Sequence, residues 1–419
     1  MEKQNLQPLK GFRDYLPKDV KKRDFIIEKI KKSFLKFGFE PLETPALEYE
    51  ELLLGKYGSE ADKLIYRFKD LGGRNVALRY DQTVPTARII AMYNQSLPMP
   101  WRRYQIQNVW RAENTQKGRY REFLQCDADI YGTTSPIADA EIISLADSIY
   151  KDLGFSEYKI YLNDRNILFE LMDLASIPAN LQFPTIAAID KLDRKDKDEI
   201  KSELISQGLE EKSVDHLYHH LDEAKPTETL IKVIEESKKL GVKNDNLLFQ
   251  ARLARGLDYY TSTIFEIKIE GYTGGSVLGG GRYDNLIGQL LGINIPAVGF
   301  AIGFDRTLEA MEQFNLLPPE GKRSGVLVSI FNEELKEASL NLVSRLRQED
   351  INCEIYPDEV TKLDKQLKYA DKKFIKWFLV IGPEEFEKDK IILKDLETGY
   401  QEDFKIENLL KKLKDSKQS

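Results

Sequence analysis

From Lys18 to Phe37 the apolar residues Phe25, Ile26, Ile30, Phe34 and Phe37 recur every three or four positions, which predicts an amphipathic helix stopped by Gly38. Further on the period drops to two. Segments 75–81, 101–111 and 122–131 read as strands whose side chains alternate between faces. In WRRYQIQNVWR, Tyr104, Ile106 and Trp110 share one parity, and Arg103, Gln105, Gln107 and Arg111 share the other. In EFLQCDADIYG, Leu124, Cys126, Ala128 and Ile130 oppose Gln125, Asp127 and Asp129. The pattern predicts an antiparallel sheet with one covered face and one open, polar face.

Past the strand-like YKIYLND at 158–164, residues 165–245 are helical in pattern and heavily charged, most clearly in KLDRKDKDEIKSELI. Strand-like runs resume at LLFQARLAR and STIFEIKIE, and GFAIGFDRTLEAMEQF reads as a strand entering a helix. NLLPPEGKRSG at 315–325 has the composition of a linker. Beyond it GVLVSI, a helical stretch, INCEIY, another helix and WFLVIG alternate as in α/β units. The 419 residues therefore divide into a core at 1–164 and 246–318, a helical insertion at 165–245, and a separate unit at 325–419. The expected class is an α+β core on a mainly antiparallel sheet, with a helical insert and a C-terminal α/β domain.

Composition changes this picture little: 42% apolar and 31% charged residues suit a soluble globular chain. The N-terminus lacks an apolar targeting segment and no apolar run approaches a membrane span, so a cytoplasmic protein is expected, with no membrane partner. Cys126 and Cys353 lie far apart without a C-x-x-C pair, which argues against a disulfide framework or a zinc ribbon. A net charge of −7 excludes a protein that coats nucleic acid through phosphate neutralisation alone, but leaves room for a local basic surface. Lys362, Lys365, Lys368, Lys372 and Lys376 recur at helical spacing, as either a solvated face or an RNA contact.

The polar parity set is unusual in its residue types. A solvated sheet face favours Lys, Glu and Thr, whereas this one concentrates Arg, Gln and Asp, whose planar groups bond in fixed directions. Arg111, Arg119, Arg121, Arg255 and Arg306 could engage a polyphosphate. Asp81, Glu113, Asp127 and Asp129 could hold an ammonium group, an imidazole or magnesium. All three histidines, His216, His219 and His220, fall in the charged insert, so a histidine-based nucleophilic site in the core is not expected. The Walker A pattern is absent, and the run Gly279, Gly280, Gly281 marks either a turn or bulge, or a close approach of backbone to a ligand.

Seven ordered segments carry a resemblance: GFRDYLP, FGFEPLETPALE with Pro45, LRYDQTVPTAR, VWRAENTQKGRYREFLQCDADIYG, ARGLDYYTSTIFE, GGGRYDNL and AVGFAIGFDR. Across nearly the whole chain they resemble class II aminoacyl-tRNA synthetases, and specifically the histidyl-tRNA synthetase family. The resemblance implies activation of L-histidine by ATP with Mg²⁺, transfer to tRNA-His, a homodimer formed through the FGFEPLETPALE motif, and an anticodon-binding C-terminal domain. It implies that Asp81 and Thr83, with neighbouring Gln82, meet the substrate's α-amino group. Gln125 and Asp129 would complete the amino-acid pocket, and Tyr259 and Tyr260 would flank the imidazole. Arg111 and Arg255 would act at the α-phosphate and the substrate carboxylate, and Glu113 would lie near the adenine. Arg119 and Arg121 of the loop would serve ATP, with Arg306 on its γ-phosphate. LRYDQT departs from the common bacterial version, which has Glu where Asp81 stands here. Two rivals, a non-catalytic synthetase paralogue such as a regulatory subunit of ATP phosphoribosyltransferase and a plain RNA-binding module, account poorly for an intact RGLDYY with a full C-terminal unit.

Overall fold

The computed structural model describes residues 6–54, 65–115, 118–193, 195–255, 259–319, 323–358 and 361–415. The chain forms two compact units, Met1–Leu317 and Pro318–Ser419.

In the first unit, helix α1 (Pro17–Lys36) opens on Pro17, whose fixed φ suits a first turn, and closes before Gly38 at φ +74°. Then come β1 (Glu40–Pro41), β2 (Leu47–Tyr49), α2 (Glu50–Leu53), β3 (Arg67–Lys69), β4 (Asn75–Leu78) and α3 (Thr83–Tyr93). β5 (Trp101–Trp110) and β6 (Glu122–Tyr131) make a long hairpin, followed by α4 (Pro136–Leu153) and β7 (Tyr158–Asp164). The charged stretch gives α5 (Arg165–Leu174), α6 (Ala179–Ile189), α7 (Lys197–Ser206), α8 (Glu211–Glu223) and α9 (Glu228–Lys239). The unit ends with β8 (Leu247–Phe249), β9 (Thr263–Ile269), β10 (Leu278–Arg282), α10 (Leu286–Leu291), β11 (Ala297–Gly303) and α11 (Phe304–Gln313).

The main sheet runs β1-β5-β6-β11-β10-β9-β7-β8 and is antiparallel except at its edges, where β1 joins β5 and β8 joins β7 in parallel. One face carries Tyr104, Cys126, Ala128, Phe265, Phe300 and Ile302, which pack with Phe34 of α1, Ile149 of α4 and Met311 of α11 into the principal core. Burying such a Leu-, Ile- or Phe-sized side chain is worth about 1.5–3 kcal/mol, so this face anchors the sheet and leaves the other free for polar chemistry. Leu168, Met172, Leu204 and Leu217 of the helical stretch build a separate core. α9 differs: its Leu230 and Val233 join the principal core. Of the run LLFQARLAR only Leu247–Phe249 is strand, and the backbone then leaves the sheet to carry Arg255 to its position.

The second unit has β12 (Val326–Val328), α12 (Lys336–Gln348), β13 (Cys353–Ile355), α13 (Leu363–Lys372), β14 (Trp377–Val380), α14 (Pro383–Glu387), β15 (Ile391–Asp395), β16 (Gln401–Phe404) and α15 (Ile406–Asp415). Strands order as β13-β12-β14-β15-β16, parallel over the first three and antiparallel thereafter. The lysine series does not all lie on one helix face. α13 ends at Lys372, and Lys376 sits half-buried beyond it, 3.8 Å from Glu397.

Candidate active site

The hairpin register puts the polar parity set together: Arg103 pairs opposite Asp129, Gln105 opposite Asp127, and Gln107 opposite Gln125. This face is not solvated, which corrects the open surface expected from alternation. Arg103 and Gln105 are 0% exposed, Asp127 3% and Asp129 4%. Tyr260, Tyr283, Leu253 and the α3 residues Ala87 and Ile90 form an apolar cluster on the same side and exclude water from part of it. Buried polar groups persist only when they are paired or await a ligand.

Next to β6, β11 presents Gly299, Ala301 and Gly303 opposite Asp129, Asp127 and Gln125. A Cβ at Gly299 would stand 1.9 Å from Asp129 Oδ1. The glycine run 279–281 is neither turn nor bulge but the body of β10. Here the close approach is made by the protein itself: a Cβ on Gly279 would lie 2.2 Å from the guanidinium carbon of Arg255, and one on Gly281 would lie 2.9 Å from the Tyr260 ring. Missing side chains on two strands thus leave a trough for the groups that reach over it.

At the start of α3, Asp81 Oδ1 accepts from the Val84 backbone N at 3.2 Å, and the first residue of the helix, Thr83, is half-buried. Gln82 is fully buried, and its Nε2 donates to the carbonyls of Gln107 (2.9 Å) and Gln125 (3.1 Å), tying α3 to both hairpin strands. The rings of Tyr259 and Tyr260 are 4.7 Å apart, and Tyr259 meets Tyr283 edge-on at 5.5 Å. The Tyr283 hydroxyl bonds Asp129 and lies 3.0 Å from that of Tyr131. Gln82 Oε1, Gln125 Oε1 and Asp127 Oδ1 are buried acceptors without a hydrogen-bond donor among the described residues. Burial pushes the Asp127 carboxyl well above its usual range, with Asp129 and Asp81 adding to the rise and Arg103 and Arg111 opposing it. Burial raises Asp129 as well, against the pull of Arg103 and Tyr283.

Arg111 Nε donates to the Tyr80 carbonyl at 2.9 Å, and its backbone N bonds Arg121 O, also at 2.9 Å, at the root of the hairpin loop. Arg121 Nε holds the Glu113 carbonyl at 3.1 Å, and Arg119 Nη1 stands 3.8 Å from Glu113 Oε2. Arg306 Nη1 donates to Ser276 O at 2.9 Å, and a Cβ on the loop residue Gly118 would meet the Arg306 Cγ at 3.4 Å. Arg255 adopts φ +50°, a left-handed conformation that non-glycine residues rarely take. Asp190 Oδ1 accepts from its backbone N at 3.0 Å, and Arg165 Nη1 donates to its carbonyl at 3.1 Å. Its Nη1 lies 3.5 Å from Glu266 Oε2. Burial alone would lower the Arg255 guanidinium, but Tyr260, Glu266 and Asp190 more than offset it and hold the group charged. Residues 256–258 of the RGLDYY signature, and 116–117 of the hairpin loop, lie outside the described residues.

His216 and His219 are exposed on α8 and His220 is half-buried there, with His219 Nε2 3.3 Å from Glu223. Sequence reasoning missed the support beneath the site. Arg79 Nη1 bonds Thr44 O at 2.6 Å and Gln107 Oε1 at 2.9 Å, and Gln105 Nε2 bonds Thr44 Oγ1 at 2.8 Å, so these residues tie the segment before Pro45 to β5. Arg103, Tyr131 and Tyr283 position Asp129. Shared parity with Gln125 and Asp129 across the hairpin was the signal that could have promoted Arg103 and Gln105.

An antiparallel sheet centre with one polar face fits the architecture of a class II aminoacyl-tRNA synthetase. A sequence model described as histidyl-tRNA synthetase matches residues 11–307, and one described as an anticodon binding domain matches 325–416. The chain belongs to the histidyl-tRNA synthetase family. It is 37% identical to a histidine–tRNA ligase of Cytophaga hutchinsonii, with 96% of this chain and 97% of that protein covered. It is 36% identical to that of Rhodopirellula baltica, with 95% of each covered. The crystal structure of histidyl-tRNA synthetase from Nostoc sp. PCC 7120 superposes with a TM-score of 0.82 at 28% identity, covering 99% of this chain and all of that one.

Proposed function

We propose that the residues gathered on this sheet divide between them the reaction of the family, ATP-dependent conversion of L-histidine to histidyl-adenylate and pyrophosphate, then transfer of histidine to the 3′-terminal ribose of tRNA-His. Asp81, Gln82 and Thr83 receive the α-ammonium, Gln125 and Asp129 complete the amino-acid pocket, and Tyr259 and Tyr260 flank the imidazole. One observation carries this assignment: three buried acceptor atoms on this face, of Gln82, Gln125 and Asp127, have no hydrogen-bond donor among the described residues. A ligand bearing an ammonium and ring N–H groups supplies those donors, and an isostere lacking them leaves the acceptors stranded at about 1–3 kcal/mol each.

The substrate carboxylate is itself the nucleophile, so the enzyme's task is alignment and charge stabilisation. Arg111 and Arg255 act at the α-phosphate, where negative charge builds as the carboxylate oxygen attacks. Glu113 meets the adenine, Arg119 and Arg121 line the loop over the nucleotide, and Arg306 binds the γ-phosphate. Mg²⁺, carried with the triphosphate, would shield its oxygens.

Residues 1–164 and 246–318 form the catalytic core in this reading, 165–245 the insertion, and 325–419 the part that meets the anticodon. Leu47, Tyr49 and Phe68 are exposed on the small sheet β2-β4-β3, which supports a homodimer formed through this surface. No helix among the described residues is long and apolar enough to cross a membrane, and we assign the chain to the cytoplasm alongside its tRNA. Pyrophosphate exchange into ATP, run with each amino acid in turn, tests the reading. Exchange with histidine alone, and its collapse in Arg255→Ala, is expected. Exchange with another amino acid in preference to histidine would overturn it.

A further inference from the structure

The N-terminal segment 11–15 precedes every element of the site, yet its side chains reach two of the parts assigned above to ATP. Arg13 Nη2 lies 2.7 Å from Asp305 Oδ1 in the first turn of α11, next to Arg306. The same guanidinium lies over the ring of Tyr120, 3.2 Å from its centroid, in the returning arm of the hairpin loop. Arg13 Nη2 also reaches the Tyr15 hydroxyl at 2.5 Å. Two residues earlier the backbone repeats the contact. Gly11 O accepts from Arg121 N at 2.9 Å, and Gly11, at φ +89°, has Arg121 Cγ where a Cβ would stand 2.7 Å away. Only glycine allows the chain to pass that close.

We propose that Arg13 is a positioning residue which straps the hairpin loop to the start of α11 and thereby presets the grip of the loop and Arg306 on the triphosphate. A planar, permanently charged guanidinium can stack on Tyr120 and pair with Asp305 at once, which a lysine ammonium does less well. Asp305 keeps a second partner, Arg23 Nη1 at 3.4 Å, so loss of Arg13 does not strand its charge. The strap acts on nucleotide binding. Its contacts named above are with the loop and α11, not with Asp81, Gln125 or Asp129 at the histidine end.

This inference rests on the assignment of Arg306 and the loop to ATP, and the test separates the two. Pyrophosphate exchange is measured for the full chain and for Arg13→Ala, Arg13→Lys, Tyr120→Leu and Arg306→Ala, with KM determined separately for ATP and for histidine. Arg13→Ala and Tyr120→Leu are each expected to raise KM for ATP roughly tenfold while KM for histidine stays within about twofold. Arg13→Lys should fall between Arg13→Ala and wild type, and the Arg13→Ala/Tyr120→Leu double variant should be no worse than either single change, since both break one strap. If Arg306→Ala raises KM for ATP and Arg13→Ala does not, or if Arg13→Ala shifts both KM values together with a lowered melting temperature, the strap is wrong. If Arg306→Ala leaves KM for ATP unchanged, the ATP assignment itself fails.

Discussion

Asp129 and Arg103 face each other across the β5–β6 hairpin with Oδ2 and Nη2 2.6 Å apart, and their side chains are 6% and 0% exposed. Each charge makes the other tolerable in the interior, and the Tyr283 hydroxyl donates to the same carboxylate. Replacing Arg103 by Leu therefore strands a buried carboxylate, and the expected loss is about 3–5 kcal/mol in denaturant unfolding. Adding Asp129→Asn to that variant should recover part of the loss, a coupling that additive behaviour of the two changes would refute.

Asp127 makes a different prediction, because burial raises its affinity for a proton. Its folded value lies well above the ordinary 3.8, chiefly through burial, so its favourable contribution is present below that ordinary value and is lost as pH climbs through the raised one. Asp127 is thus a cost to the ligand-free fold at alkaline pH. Asp127→Asn should melt higher than wild type at pH 8, with the gap closing toward pH 4, and should gain less stability from added histidine. Thermal scans with and without histidine would show it; a variant that melts lower than wild type at pH 8 would contradict the argument.

Much of this site was legible in period-two alternation. The strands at 101–111 and 122–131 lie within a residue of their predicted limits, and the polar sets do meet across the hairpin. Alternation could not say that the polar face is buried, because burial depends on what the rest of the chain lays over it, here α3 and the tyrosines after Arg255. Arg79 looks like a solvated strand residue until its partners are known, and parity places Arg103 on the polar face without showing that Asp129 pairs with it in the interior. LLFQARLAR failed as a strand beyond Phe249 for a related reason: its apolar residues Ala251 and Ala254 pack into the helical core instead of continuing a sheet.

Gly279 offers a way to move Arg255 without touching it. The Cβ of Gly279→Ala would collide with the far end of a flexible side chain, not with backbone, so the protein should fold while the guanidinium is displaced. Loss of an aligned donor at a developing charge costs about 10²–10³ in kcat. Gly279→Ala should approach the loss seen for Arg255→Ala in exchange while KM for histidine changes little. Full activity in Gly279→Ala would mean that Arg255 works from another position than the one seen.

The last prediction concerns RNA and turns on which lysines are free. Lys362, Lys365, Lys368 and Lys372 are exposed along or beside α13 and form no ion pair among the described residues. Lys373 is held by Glu354 at 2.7 Å, and Lys376 stands near Glu397. A lysine already neutralised by a carboxylate releases few counterions from a phosphate, whereas a free one contributes to the salt dependence of binding. Replacing the four free lysines by Ala should weaken tRNA-His binding roughly tenfold or more near 0.1 M salt, and should reduce the slope of log affinity against log salt by up to about 3. Histidine-dependent pyrophosphate exchange should be unaffected, because that reaction needs no tRNA. The double change at Lys373 and Lys376 should leave the slope nearly as it is, so equal effects from the two sets would reduce the α13 face to a solvated surface.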